Sequence, residues 1–161
     1  MSPRPPGPGY RALRRGRVSQ PGQYYLVTTA THQRRPLFHD LRAGRCVVRA
    51  LQTLEPLAET KCYVIMPDHL HWLLKLRGGT TLSAAVQRVK AGSARAITAR
   101  APHLRPVWQG GFHDHAVRRE DELRALARYV VANPLRAGLV ERIGEYPLWD
   151  AVWVEDGRGG G

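Results

Sequence analysis

Residues 63–76 read YVIMPDHLHWLLKL, two apolar runs either side of Pro67-Asp68. Proline followed by aspartate is turn chemistry, so the stretch reads as two strands joined by a tight turn. Successive side chains on a strand alternate faces. His69 and His71 therefore share one face while Leu70 and Trp72 point to the other, with Leu70 seating the strand in the core. Two imidazoles on one face form a candidate pair of metal ligands. Spacing alone is weak warrant, because His-x-His on a strand is more often not a metal site. The setting adds weight: in so apolar a hairpin an imidazole without a partner is costly. The motif HDH at residues 113–115 has the same spacing but lies between Gly-Gly and Arg-Arg. There a solvated or phosphate-contacting face is expected, and His113 and His115 are assigned no metal.

Working outward, residues 23–32 (QYYLVTTATH) are rich in β-branched and aromatic side chains and read as a strand closed by the turn QRRP. Residues 40–54 open on Asp40, an N-cap candidate, and space Leu41, Val47, Val48, Leu51 and Leu54 as a helix. Residues 80–100 carry threonine caps and apolar Leu82, Ala85, Val86 and Val89 at helix spacing, with Arg88 and Lys90 left for an outer face. Residues 112–117 form a fourth strand, and residues 120–133 a helix with acids in its first turn. The order is βαββαβ plus one helix. This is the split βαβ, or ferredoxin-like and RRM-like, α+β arrangement: an antiparallel sheet with helices on one face and an additional C-terminal helix. Many functions use that fold, so it does not name one.

The chain has 161 residues, enough for one domain with a real core and few for two. Residues 1–22, with five prolines and four glycines, cannot bury enough surface to order themselves and are expected to be a basic arm. Residues 23–154 are the domain, and residues 155–161 a frayed tail. Net charge is +12, and residues 1–39 hold seven arginines and no acid. A GC-rich genome explains the preference for arginine over lysine, but not the shortage of acids. A polyanionic partner is expected, with nucleic acid ahead of a membrane because no apolar segment approaches spanning length. Cys46 and Cys62 lack metal-ligand spacing and read as small core residues in a reducing compartment. The N-terminus lacks the apolar segment of an export signal, so a cytoplasmic location is expected.

Two ligands do not complete a metal site. On the last helix the apolar stripe is Leu123, Leu126, Ala127, Val130 and Val131, and at about 100° per residue Tyr129 and Asn133 fall together on its edge, one turn apart. A phenol and an amide oxygen would thus both face a metal held by the sheet. Each also has an ordinary reading, Tyr129 as a boundary residue and Asn133 as a helix stop before Pro134.

In order and spacing, YVIMPDHLHWLL, VWQGGFHDHAVRREDEL and YVVANPLRAGLV resemble the REP-associated tyrosine transposases, a branch of the single-tyrosine HUH transposases, over residues 23–153. The resemblance implies His69 and His71 as the metal-binding pair, Tyr129 as nucleophile and Asn133 as the polar ligand one turn later, where other branches have Gln. It implies Mg²⁺ or Mn²⁺, no nucleotide cofactor, and a bacterial, nucleoid-associated enzyme acting as a monomer. The activity implied is single-stranded DNA endonuclease and strand transferase at REP-type hairpins, through a 5′-phosphotyrosine. The alternative is a domesticated, non-catalytic hairpin binder. Arg11, Arg14, Arg15, Arg17, Arg34 and Arg35 are the candidates for holding phosphates. Trp108 and Phe112 are candidates for base stacking, with a core role equally open.

Overall fold

The computed structural model describes residues 19–152. Its elements run β1 (Tyr24–Ala30), α1 (Leu41–Thr53), β2 (Ala58–Met66), β3 (His69–Leu76), α2 (Leu82–Arg100), β4 (His113–Val117), α3 (Glu120–Val131), α4 (Asn133–Arg136) and β5 (Trp149–Ala151). The strands form one sheet in the order β4-β1-β3-β2-β5, every neighbouring pair antiparallel. The expected βαββαβ unit is present, with β5 added outside β2.

The hairpin forms as read, Met66 pairing with His69 across Pro67-Asp68. Both long helices start at side-chain caps: Asp40 accepts from the Arg42 N–H and Thr81 from the Ala84 N–H, satisfying amides that have no partner in the first turn. They cover the face to which Tyr25, Val27, Leu70, Trp72, Leu74 and Leu76 point. Each such fully buried side chain contributes about 1.5–3 kcal/mol by leaving water. Trp72 keeps its polar atom satisfied by donating from Nε1 to Thr60 Oγ1 at 2.9 Å.

The two helices of the βαββαβ unit share one face as expected, and the additional C-terminal helix takes the other. α3 packs on the opposite side, where Leu123, Ala127 and Val130 close over Cys62, Val64, Met66 and Leu73. The cause lies in β2 and β3, whose second face is also apolar beyond the histidines and must be covered. Lys90, expected outside, is buried, and its ammonium donates to the Gln109 and Gly111 carbonyls at 2.7 and 2.9 Å, fixing the approach to β4.

The helix expected over residues 120–133 ends at Val131, and Asn133 opens the separate α4, with Pro134 in its first turn. Proline lacks the N–H that would continue the α3 ladder, whereas a first turn tolerates it. β5 is held by the segment before it: Tyr146 donates its hydroxyl to the Ile65 carbonyl at 2.6 Å, and the Ile65 N–H reaches the Leu148 carbonyl at 2.9 Å.

Candidate active site

His69 and His71 lie on the face that α3 partly covers, in line with Leu73. Their rings stand perpendicular with centroids 4.6 Å apart, and the two Nε2 atoms converge to 3.0 Å. Each ring is held by its other nitrogen: His69 Nδ1 lies 2.7 Å from Asp68 Oδ1, and His71 Nδ1 lies 3.0 Å from Thr28 Oγ1. An Nδ1 contact to a carboxylate or hydroxyl fixes ring orientation and leaves Nε2 for a ligand.

The electrostatics keep His71 a neutral donor. Burial, then the charges of His69, Arg136 and Arg34, push its pKa down to about 4. Burial acts to raise the Asp68 pKa, but hydrogen bonding and charge from His69 and Arg34 outweigh it and hold the carboxyl below its ordinary value. Arg34 reaches Asp68 Oδ2 through Nε at 3.0 Å and stays 57% exposed. It does so from a turn in which Gln33 and Arg34 both adopt left-handed backbone angles, φ 57° and 54°.

Tyr129 is 62% exposed, with the Arg136 guanidinium 3.9 Å from its ring centre. α3 packs on the sheet face that carries the imidazole pair, and the charge of Arg136 is among those that lower the His71 pKa. Asn133 donates its Nδ2 to the Val130 carbonyl at 2.8 Å. That bond commits the amide nitrogen to the end of α3, and the amide oxygen has no hydrogen-bond partner among the described residues. Tyr129 and Asn133 thus sit on successive short elements instead of one helix edge.

Other expectations change. Trp108 is a core residue, 8% exposed, donating to Ser93 Oγ at 3.0 Å and packed 5.5 Å from the Phe38 ring, so no indole face is open to a base. Phe112 is half-buried against the same core. The Arg35 guanidinium is committed to carbonyls of His32, Leu104 and Pro106, which makes it a loop clamp. Arg11, Arg14, Arg15 and Arg17 lie outside the described residues. His113 and His115 are exposed on the same sheet face as the imidazole pair, and Thr28 pairs with His113 on one side and His71 on the other. Two strand spacings separate these histidines, about 10 Å. Among the described residues no group of three His, Cys, Asp or Glu side chains is placed to hold a metal.

Asp68, Thr28 and Arg136 escaped the sequence reading. Asp68 reads as a turn residue, though a carboxylate next to the first histidine was an available signal. Thr28 becomes visible only through the register of β1 on β3. A groove of about 640 Å³ between α1 and α2, on the far side of the sheet, is lined by Arg42, Arg45, Arg49 and Arg100 among others.

The fold, with its sheet order and the added helix on the histidine face, matches that of a solved REP-associated tyrosine transposase. A solved structure of one such enzyme bound to a REP hairpin superposes with a TM-score of 0.67 at 23% identity, covering 83% of this chain and 79% of that one. A second solved structure, from Deinococcus radiodurans R1 and described as a transposase, gives 0.50 at 21% identity over 71% and 92% of the two chains. Residues 19–133 match the family described as "Transposase IS200 like", and the chain belongs to that family. It is 27% identical over 91 residues to the REP-associated tyrosine transposase of Escherichia coli K12, a match covering 56% of this chain and 52% of that protein, about half the length of each. Among the described residues no helix is long and apolar enough to cross a membrane.

Proposed function

We propose that this protein cuts and rejoins single-stranded DNA next to a hairpin, with Tyr129 as the nucleophile. The observation that carries the reading is the convergence of His69 Nε2 and His71 Nε2 to 3.0 Å, each ring steadied through Nδ1, on the sheet face where the helix bearing Tyr129 packs. The two Nε2 atoms are hydrogen-bonded to each other, and a spacing of 3.0 Å is also one at which two imidazole nitrogens ligate a single ion at about 2.1 Å each.

The donor set fits a divalent ion. His69 and His71 would supply two nitrogens and Asn133 its amide oxygen, leaving further positions for phosphate oxygens and water, as Mn²⁺ or Mg²⁺ accepts. Bound there, such an ion polarises the phosphate and stabilises the departing oxygen. In the step itself the Tyr129 oxygen attacks phosphorus. A phosphorus–oxygen bond to tyrosine forms as the bond to the 3′-oxygen breaks, and the proton lost by the phenol is balanced by one gained at the 3′-hydroxyl. The reverse attack by a 3′-hydroxyl rejoins DNA. Bond energy is retained in the phosphotyrosine, so no nucleotide cofactor is called for.

Packing of α3 on its own sheet supports action as a monomer, with nucleophile and imidazole pair from one chain. A relative is known bound to a REP hairpin, which supports a hairpin of that type as the substrate. The arginine-lined groove suits the phosphates of a hairpin stem. The test is incubation of the protein with Mn²⁺ and a 3′-labelled single strand carrying a hairpin. Label shifted to the protein under denaturing conditions, and lost in Tyr129→Phe, is the expected result. Tight hairpin binding without cleavage would instead make the chain a non-catalytic binder.

A further inference from the structure

Arg136 lies in the stretch YVVANPLRAGLV with no role assigned to it, and its guanidinium lies 3.9 Å from the centre of the Tyr129 ring. The two are seven positions apart, about 10 Å along a continuous helix, so the arginine reaches the ring by folding back over the corner between α3 and α4. That corner is firmly built. Pro134 is buried, Asn133 holds Val130, and the Arg136 N–H donates to the Ala132 carbonyl at 3.0 Å. Several exposed arginines have carboxylate partners: Arg34 with Asp68, Arg77 with Glu59, Arg119 with Asp121, Arg142 with Glu145. Arg136 has none among the described residues, and its charge acts on His71. A guanidinium is planar. A guanidinium that stacks face-on to a phenol ring keeps its edge N–H groups for other partners, and those are the groups that grip phosphate.

We infer that Arg136 is a further functional residue, which stacks on Tyr129 to hold the phenol in place and presents its N–H edge to the scissile phosphate. This rests on the proposed tyrosine chemistry. It assigns Arg136 two duties. One is orientation, since an exposed tyrosine without the stack would sample several rotamers. The other is charge: a phosphoryl group under attack gathers negative charge on its equatorial oxygens, and a fixed cation stabilises that state more than the ground state.

The experiment uses the full chain and its Arg136→Ala and Arg136→Lys variants, in two measurements. In the first, tyrosine ring resonances are recorded with ¹³C-labelled tyrosine and no DNA, Tyr129 being identified by its loss in Tyr129→Phe. Arg136→Ala is expected to shift that resonance and leave those of the other tyrosines in place. In the second, single-turnover adduct formation on the hairpin strand is expected to slow on the order of 100-fold in Arg136→Ala, with affinity for the strand changed less than about threefold. Arg136→Lys keeps the charge without the planar stack and should recover part of the rate, and added methylguanidinium should recover part of it in Arg136→Ala. An unshifted Tyr129 resonance overturns the stack. Adduct formation as fast in Arg136→Ala as in the unmodified protein overturns the phosphate role while leaving the tyrosine chemistry standing. No adduct in the unmodified protein overturns the tyrosine chemistry and the phosphate role with it, whereas the resonance still decides the stack.

Discussion

Asp68→Asn changes one oxygen to nitrogen in the group that holds His69, and its cost can be worked from the contacts. The carboxylate makes two charge-assisted contacts, 2.7 Å to His69 Nδ1 and 3.0 Å to Arg34 Nε, with its side chain 28% exposed. A hydrogen bond to a charged group contributes about 1.5–3 kcal/mol when shielded, whereas a pair as open as Arg34 contributes at most about 1 kcal/mol. Asparagine keeps an acceptor for one of the two contacts. The net stability cost should therefore be about 1–2 kcal/mol, a melting-temperature drop of roughly 3–6 °C for a domain of this size. The larger effect should be on metal. Losing the group that orients a ligating histidine typically lowers metal affinity 10–100-fold. Titration of Mn²⁺ followed by electron paramagnetic resonance measures this directly, with Arg34→Gln as a control expected to change affinity less than about threefold, since it leaves the carboxylate on His69. If Asp68→Asn melted early yet bound Mn²⁺ as tightly as the unmodified protein, Asp68 would be a turn residue and the reasoning about oriented imidazoles would be wrong.

His69→Ala and His71→Ala are expected to abolish cleavage while hairpin affinity falls less than about threefold, measured by gel shift, because affinity comes from phosphate contacts elsewhere. Replacing Arg45 and Arg49 together with Gln should lower the slope of log affinity against log salt by about 1–2, one unit per lost phosphate contact, if the groove holds the stem. Gly44→Ala places a methyl group against the buried Leu148 side chain. The clash should outweigh the helix propensity gained, for a net loss of about 1–2 kcal/mol in urea unfolding. Burial, only partly opposed by the Leu73 backbone, raises the Cys62 pKa from 9.0 to about 12. The folded state therefore keeps a proton that the unfolded state releases, and stability should fall as pH rises above about 9, by roughly 1.4 kcal/mol at pH 10. At pH 8 the native protein should show one reactive thiol, Cys46, and two after denaturation.

The parts of the fold that were legible have a period. Alternation in residues 69–76 assigned Leu70 and Trp72 to the core and the two histidines to the other face, and both assignments agree with the observed burial. Capping chemistry located α1 and α2 to within two residues. What failed depended on contacts made at a distance. Lys90, given to an outer face by helix spacing, is buried because the Gln109 and Gly111 carbonyls reach it from a distant loop. β5 has three residues, too few to show alternation. Trp108 looks like a base-stacking residue until the bridge between Thr31 and Trp108 carries it under Phe38. Of the proposed site, the imidazole pair could be read from spacing, and the tyrosine with its asparagine from a helix edge that the structure breaks in two. The groups that orient and charge them, Asp68, Thr28 and Arg136, come from a turn, a neighbouring strand and a later helix, where no local pattern marks them.

The most direct test is to locate the covalent bond. The unmodified protein is incubated with Mn²⁺ and the hairpin-bearing single strand, denatured, digested with nuclease and protease, and the nucleotide-bearing peptide sequenced by mass spectrometry. A single modified peptide with the 5′-phosphate on Tyr129 is the expected outcome. Cleavage with no modified peptide would make water the nucleophile, and a phosphate on Tyr24, Tyr25 or Tyr63 would contradict the assignment of the α3–α4 corner as the reacting centre.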